Sequence, residues 1–176
     1  MPQLGKDRID EVFDPEIAVD RAIEYYRKQG CSDQWIKARL TATLDRKKLT
    51  DIWRDGGIKD NLEYAILTNE IYKTWSGMKA SEYKSFRGIR KESLRDNMND
   101  VELALTNLSE IATREIARAQ KPYGLEQNKK VARKGGGIAK NAKNSIEKET
   151  GHSVISKDNS LNYQYFEDNK QVIDKE

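Results

Sequence analysis

Apolar residues recur at three- and four-residue steps along most of this chain, which is the spacing of one face of an α-helix. Glycines and prolines interrupt the pattern and divide the chain into stretches of helical length. The first stretch follows Asp14, a candidate N-cap, and has Pro15 at the first helical position, where an N–H group would have no partner in any case. Its apolar positions, which continue until Gly30 ends the predicted helix, are Ile17, Ala18, Ala22, Tyr25 and Tyr26.

The same spacing predicts two further amphipathic helices. Ser32 can cap a second helix that extends to Gly56, with a candidate joint near Thr50. The apolar side of this helix consists of Trp35, Ile36, Leu40, Leu44, Leu49, Ile52 and Trp53. A third helix, predicted over residues 61–76, carries Leu62, Ala65, Ile66, Ile71, Tyr72 and Trp75.

The longest apolar stripe covers residues 98–120 and predicts the central helix of the fold. Its positions are Val101, Leu105, Leu108, Ala112, Glu115 or Ile116, and Ala119. This four-three spacing keeps one stripe facing a partner helix. Pro122 and Gly124 end the pattern, and Gly151 is a candidate C-terminal cap for the last helix of the chain.

Three consecutive glycines, Gly135, Gly136 and Gly137, lie inside the basic stretch KKVARKGGGIAK. A phosphate-binding P-loop is disfavoured, because no strand precedes the glycines and no Lys-Ser or Lys-Thr pair follows them. Each glycine destabilises a helix by about 1 kcal/mol relative to alanine. The sequence therefore predicts a hinge at residues 135–137 between two shorter helices. Gly136, with Ala139 and Ala142, would also allow a neighbouring helix to approach closely.

These patterns predict an all-α fold, a multi-helix bundle with a long central helix. Residues 1–156 are expected to form a single helical domain, and residues 157–176 a polar tail. The tail is either disordered or an interaction arm whose Tyr163, Tyr165 and Phe166 dock on the body or on a partner.

Composition excludes several functional classes. The chain has no apolar run long enough to cross a membrane and no apolar N-terminal stretch typical of a signal peptide, so a cytoplasmic protein is expected. Cys31 and His152 are the only residues of their types, which argues against a zinc site and against a cysteine–histidine nucleophile. The sequence therefore predicts a protein that is not an enzyme, with no metal and no cofactor.

Positive charge is concentrated near the glycines, although the net charge of the whole chain is only +3. Neighbours of like sign four residues apart destabilise a helix unless an anion lies between them, and nucleic-acid phosphate is the commonest such anion. The candidate nucleic-acid-binding residues here are Lys129, Lys130, Arg133, Lys134, Lys140 and Lys143. A second basic segment consists of Lys84, Arg87, Arg90 and Lys91. The two segments would form one surface if the fold brought them together.

Four stretches resemble the C-terminal region of the DNA damage-inducible protein D family. They are EYAILTNEIYK (63–73), SEYKSFRGIRKESLRDNM (81–98), ATREIA (112–117) and GLEQNKKVARKGGGIAKNAKNSIEKETGHSVIS (124–156). Similarity is expected to start near WIKARLTATLDRKKLTDIW (35–53) and to cover most of the chain. The same region occurs in BRO-type phage antirepressor-like proteins, and the N-terminal module of those proteins is expected to be absent here. The resemblance implies a non-enzymatic accessory protein of the SOS DNA-damage response or of a mobile element, acting on DNA, on a recombinase filament or on a repressor.

The resemblance carries no catalytic assignment. The matched core residues are Tyr64, Leu67, Thr68, Asn69, Tyr72, Phe86, Arg87, Gly88, Arg95, Asp96, Thr113, Arg114, Glu115, Gly136, Gly137, Ala139, Thr150 and Gly151. Of these, Thr113, Arg114 and Glu115 interrupt the apolar stripe and are expected to form a buried polar network. Two functions remain open. One is DNA-backbone binding, and the other is a protein-interaction module, with a recombinase, repressor or host defence protein as partner and homo-oligomerisation as an option.

Overall fold

The computed structural model describes residues 15–158, and six α-helices and one 3₁₀ helix occupy this range without a strand. The predicted all-α fold is therefore confirmed. The helices are α1 (Pro15–Lys28), α2 (Asp33–Asp55), α3 (Asn61–Ser76), α4 (Ala80–Phe86), the 3₁₀ helix (Arg95–Asn97), α5 (Asp100–Gln120) and α6 (Gly124–Thr150). The predicted N-cap Asp14 and the aromatic residues of the predicted tail, Tyr163, Tyr165 and Phe166, lie outside the described residues.

The described residues form two compact units that divide within α2, after Ala38. This division falls inside the range 1–156 for which the sequence predicts one domain. In the first unit, the Tyr26 and Trp35 rings meet edge to face with centroids 5.3 Å apart. The second unit begins at Arg39 and contains every basic residue and glycine that the sequence analysis singled out as a candidate site.

The longest helix of the second unit is α6, which packs along both α5 and α3. This corrects the expectation that residues 98–120 form the central helix. The second helix also differs from its prediction, because α2 continues through Thr50 without a joint. The buried apolar residues around these helices include Leu49, Trp53, Leu67, Ile71, Trp75, Leu103, Val131 and Ala132.

The buried face of α5 shares only Leu105 with the predicted apolar stripe. Val101 and Leu108, two members of that stripe, are each 37% exposed. The buried positions of α5 are Glu102, Leu103, Leu105, Thr106, Ser109, Glu110, Thr113 and Ala117. The hydroxyls of Thr106 and Thr113 donate to the carbonyl oxygens of Glu102 and Ser109, one turn earlier, at 2.9 and 2.7 Å. Because these hydroxyl groups are satisfied within α5, small polar side chains can face another helix without an unpaired donor.

The three glycines lie in the middle of α6, so the predicted hinge at Gly135, Gly136 and Gly137 is wrong. A Cβ atom on Gly135 would come within 2.8 Å of the Ser109 carbonyl oxygen on α5. One on Gly136 would come within 2.7 Å of Thr74 Cβ on α3. Close packing against two helices therefore compensates for the low helix propensity of these two glycines. The expectation that Gly136 allows a close helix approach is confirmed.

None of the helices between residues 15 and 158 combines the length and the apolar character needed to cross a bilayer.

Candidate functional site

The third glycine, Gly137, belongs to an exposed face of α6 that is rich in lysine and asparagine. Lys130, Lys134, Gly137, Asn141, Asn144 and Lys148 recur at four- and three-residue steps along this face, and Arg133 and Lys140 border it. The face is largely open to solvent, and Gly137 would leave an added Cβ in open space. We call these eight residues the α6 outer face. At a rise of ~1.5 Å per residue it extends about 27 Å from Lys130 to Lys148.

Some basic residues of α6 have partners within the fold. Arg133 Nε lies 2.7 Å from Glu70 Oε2 on α3, and this hydrogen bond holds the pKa of the Glu70 carboxyl below its usual value although partial burial opposes the shift. Lys129 pairs with Glu126 at 3.1 Å, and Lys134 Nζ donates to Gln120 Oε1 at 3.0 Å. The predicted repulsion between like charges is therefore relieved inside the protein for Lys129 and Arg133.

The other candidate lysines of α6 are Lys130, Lys140 and Lys143. Lys130 and Lys140 are exposed, and Lys143 is half-buried at the flank of the helix. No ion pair links these three lysines to an acidic group within residues 15–158. They are the part of the predicted basic segment whose charge is open to a ligand.

The second basic segment does not form one binding surface. The prediction that Arg87 binds nucleic acid is wrong, because its side chain is buried. Arg87 is only 3% exposed, and its guanidinium pairs with the buried carboxylate of Glu102 on α5. A charge in the core requires such a partner, which the sequence around Arg87 does not reveal. Arg90 and Lys91 lie on the loop after α4, and their backbone N–H groups donate to the Glu92 side chain. Lys84 is half-buried and faces a separate cavity.

The Arg87–Glu102 pair also organises the end of the described chain. Glu102 accepts hydrogen bonds from the Tyr83 hydroxyl and from the backbone N–H of Ser156, the latter at 3.2 Å. Arg87 donates in addition to the carbonyl oxygen of Asp158. Burial, together with the hydrogen bond to Glu102, raises the pKa of the Tyr83 phenol. Residues 156–158 are therefore attached to the body, including the first two positions of the predicted tail.

The polar network expected at Thr113, Arg114 and Glu115 is only partly buried. Thr113 is buried against α6, whereas the Glu115 side chain is 53% exposed. Arg114 lies between them and pairs with both Glu115 and Asp45 of α2, at 3.0 and 2.8 Å. These residues connect α5 to α2 and have a structural role.

A cavity of about 440 Å³ lies where α2, α3, α4 and the 3₁₀ helix meet. Four of its lining side chains are cationic, namely Arg39, Arg46, Lys84 and Arg95. Four others carry a hydroxyl group, namely Thr43, Thr68, Tyr72 and Ser93. We call these eight residues the arginine pocket. Among these eight residues, only Lys84 is a binding residue predicted from the sequence, because the other seven are dispersed over three segments of mixed polarity with no shared motif.

The arginines of this pocket are held in place by carboxylates behind them. Glu110 on α5 is 2% exposed and lies between Arg46, at 3.0 Å, and Arg95, with which it makes two hydrogen bonds. Arg95 Nε also donates to the Tyr72 hydroxyl at 3.2 Å. Arg39 is fixed by Asp96, whose Oδ1 lies 2.7 Å from its Nε atom. The guanidinium groups are therefore oriented before any ligand arrives.

No family model, curated protein or solved structure matches this chain. The resemblance to the DNA damage-inducible protein D family therefore remains a prediction.

Proposed function

We propose that this protein is a non-enzymatic accessory protein of the DNA-damage response or of a phage or other mobile element, and that it binds the DNA backbone. The contact surface is the α6 outer face. The observation that carries the proposal is the composition of that face: lysine, arginine and asparagine donors recur over several helical turns. Lysine and arginine bind phosphate by charge, and asparagine donates to phosphate or sugar oxygens.

The geometry of the face supports backbone contact rather than base recognition. Its charges are spread along the helix instead of converging on one point, as a polyanion requires. Two acidic residues beside the face already have partners. Glu70 pairs with Arg133, and Glu147, next to Lys148, accepts from the backbone N–H of Val154. Gly137, at the middle of the face, leaves space where a phosphate strand can approach the helix.

The proposal is tested by changing Lys130, Lys134 and Lys140 together to glutamine. These residues are better targets than Arg133, because removal of Arg133 would leave Glu70 without its partner. We expect binding to single- and double-stranded DNA to weaken irrespective of sequence. The slope of log affinity against log salt should fall by about 0.7 to 0.9 for each phosphate that the variant no longer neutralises.

A matched control changes Lys47, Lys59 and Lys79, which are exposed on α2 or ahead of α3 and α4, to glutamine. This variant has the same net charge, so it should bind DNA like the parent if the α6 outer face is the contact surface. Circular dichroism checks that both variants remain helical. Equal decreases in affinity in the two variants, or no decrease in the first at low salt, would show that the proposal is wrong.

The second candidate is a protein-interaction module without direct DNA binding, antirepressor-like or an inhibitor of a host protein. The exposure of Val101 and Leu108, seven residues apart on α5, favours it. An apolar interface of this kind should respond little to salt, whereas phosphate binding weakens steeply as salt increases. A pull-down from damaged or phage-infected cells, repeated with Val101 and Leu108 changed to serine, separates the two functions. A partner protein that is absent with this variant but present with the lysine variant favours the interaction module.

A further inference from the structure

We propose that the arginine pocket binds a phosphate monoester, a ligand class separate from the extended DNA backbone. The proposal does not depend on the α6 outer face, because the two sites share no residue. It rests on the cavity, the charge balance of its walls and the donors that its cations still have available.

The walls carry more positive than negative charge. Four cations line the cavity, and the carboxylates in contact with them are Glu110 and Asp96. Glu110 is shared by two arginines, so that neither Arg46 nor Arg95 has a carboxylate to itself. A cavity with unbalanced cations in its wall attracts an anion, and the attraction is stronger in a partly enclosed site than in open solvent.

The cations also retain donors after their internal hydrogen bonds are counted. Arg39 uses Nε for Asp96 and Nη1 for Thr43, and no described residue accepts from its Nη2. Lys84 Nζ has no hydrogen-bond or ion-pair partner within residues 15–158, although the side chain is half-buried. The guanidinium fork presents paired donors, and an ammonium group supplies a compact point charge.

A phosphate monoester suits this arrangement better than a carboxylate does. Its dianion has three terminal oxygens, which can accept hydrogen bonds from several directions at once. Arg39 lies on α2 and Lys84 on α4, so the two cations line the cavity from different helices. The cavity is in the range of about 300–1,000 Å³ that is typical of small-molecule sites.

A purely structural role for these residues is the competing explanation. Glu110 needs cationic partners because it is buried, which explains Arg46 and Arg95 without a ligand. It does not explain Lys84, a half-buried residue of the cavity wall with no acidic partner among the described residues. Lys84 is therefore the residue that distinguishes a binding site from an internal ion-pair network.

The first measurement is thermal stability in inorganic phosphate, compared with sodium chloride at equal ionic strength. A ligand that binds only the folded protein raises Tm as its concentration exceeds its Kd. We expect phosphate to stabilise the parent, and Lys84→Gln to raise the Kd for phosphate by about tenfold or more, as expected when a charge-assisted hydrogen bond is removed. Lys79→Gln, an exposed change ahead of the same helix, should respond like the parent.

The second measurement maps the site on the parent protein, so the test survives if Lys84→Gln fails to fold. Amide chemical shifts recorded during a phosphate titration should change at Ala80, Ser93 and Leu94 around the cavity. The triple glutamine variant of the α6 outer face should keep its phosphate response. No stabilisation of the parent beyond that of chloride, an unchanged Kd in folded Lys84→Gln, or shift changes confined to α6 would each overturn the proposal.

Two further arms identify the source of the phosphate. A nucleoside 5′-monophosphate tests a free small molecule, and paired oligonucleotides with a 5′-phosphate or a 5′-hydroxyl test a nucleic-acid end. The monoester class is supported if the mononucleotide competes with inorganic phosphate, or if the 5′-phosphorylated strand competes and the 5′-hydroxyl strand does not. Which of the two competes assigns the source of the phosphate. Equal competition by both oligonucleotides, without competition by the mononucleotide, would overturn it in favour of ordinary backbone binding.

Discussion

A Cβ atom on Gly135 would lie 2.6 Å from the backbone nitrogen of Thr113, which shows how closely α6 packs against α5. This distance is too short for any side chain, and the obstructing atom belongs to a helix backbone that cannot rotate away. We therefore expect Gly135→Ala to destabilise the protein by about 1–3 kcal/mol, the range for overpacking, despite the better helix propensity of alanine. Urea unfolding measures the change. An unchanged or increased stability would contradict the observed packing.

Gly137 is two residues away and should respond in the opposite direction. It faces open space, so Gly137→Ala should stabilise the protein by about 0.5–1 kcal/mol through helix propensity alone. If DNA lies on the α6 outer face, the same change should weaken DNA binding, because the added methyl group obstructs the approach of the strand. A variant that is more stable and binds DNA with unchanged affinity would place the strand away from Gly137.

Arg87 should be essential for stability rather than for DNA binding. Arg87→Met removes the cation of a fully buried pair and leaves the Glu102 carboxylate without its opposite charge. We expect a decrease of roughly 3–5 kcal/mol in the free energy of unfolding. Lys79→Met, an exposed change ahead of α4, should stay within about 0.5 kcal/mol. Chemical denaturation of the two variants gives the comparison, and similar stabilities would refute the core role of Arg87.

The Glu70–Arg133 pair should contribute to acid sensitivity. Its hydrogen bond lowers the folded-state pKa of Glu70 below the usual 4.5, so the stabilisation is present above that value and is lost as the pH falls through the folded pKa. Glu70→Gln should therefore lower Tm at pH 7, and the Tm difference from the parent should shrink as the solution is acidified below that pKa. Arg133 is half exposed, so the effect is expected to be small and to decrease with salt. A Tm difference that stays constant with pH would exclude this linkage.

Helix ends are the part of the fold that sequence reasoning predicts best. The apolar spacing predicts the third helix over residues 61–76, and α3 is Asn61–Ser76. Gly77 and Gly151 end α3 and α6 with positive φ angles of 83° and 73°. Glycine adopts this left-handed conformation without steric cost, so its position in a sequence is a local and readable stop signal.

Buried faces are less predictable, because burial depends on partners that are distant in the sequence. On α5, Val101 and Leu108 are partly exposed whereas Glu102 and Glu110 are in the core. Arg87, Arg46 and Arg95 stabilise the carboxylates there. No local pattern in the sequence of α5 predicts these arginine partners. Hydrophobic periodicity alone therefore selects the wrong face.

Two other features cannot be predicted from the sequence for the same reason. They are the unbroken helix α6 through the three glycines, and the arginine pocket. Summed propensity argues against a helix through residues 135–137, and only the closeness of α5 and α3 reverses that conclusion. The pocket combines side chains from residue 39 to residue 95, and no single segment contains enough of them to form a motif. Charge alone singles out Lys84, but its neighbours become apparent only when the helices are packed.

The position of α6 between α5 and α3 has a consequence for synthesis on the ribosome. Protein chains emerge from the N-terminal end, so α3 and α5 leave the ribosome before the helix that covers them both. Until Gly124–Thr150 has been translated, the carbonyl groups of Ile71 and Ser109 have no glycine surface to pack against. The second unit therefore completes its core only after α6 has been made, and a nascent chain that ends before Gly124 leaves the surfaces of α3 and α5 that α6 covers exposed to solvent.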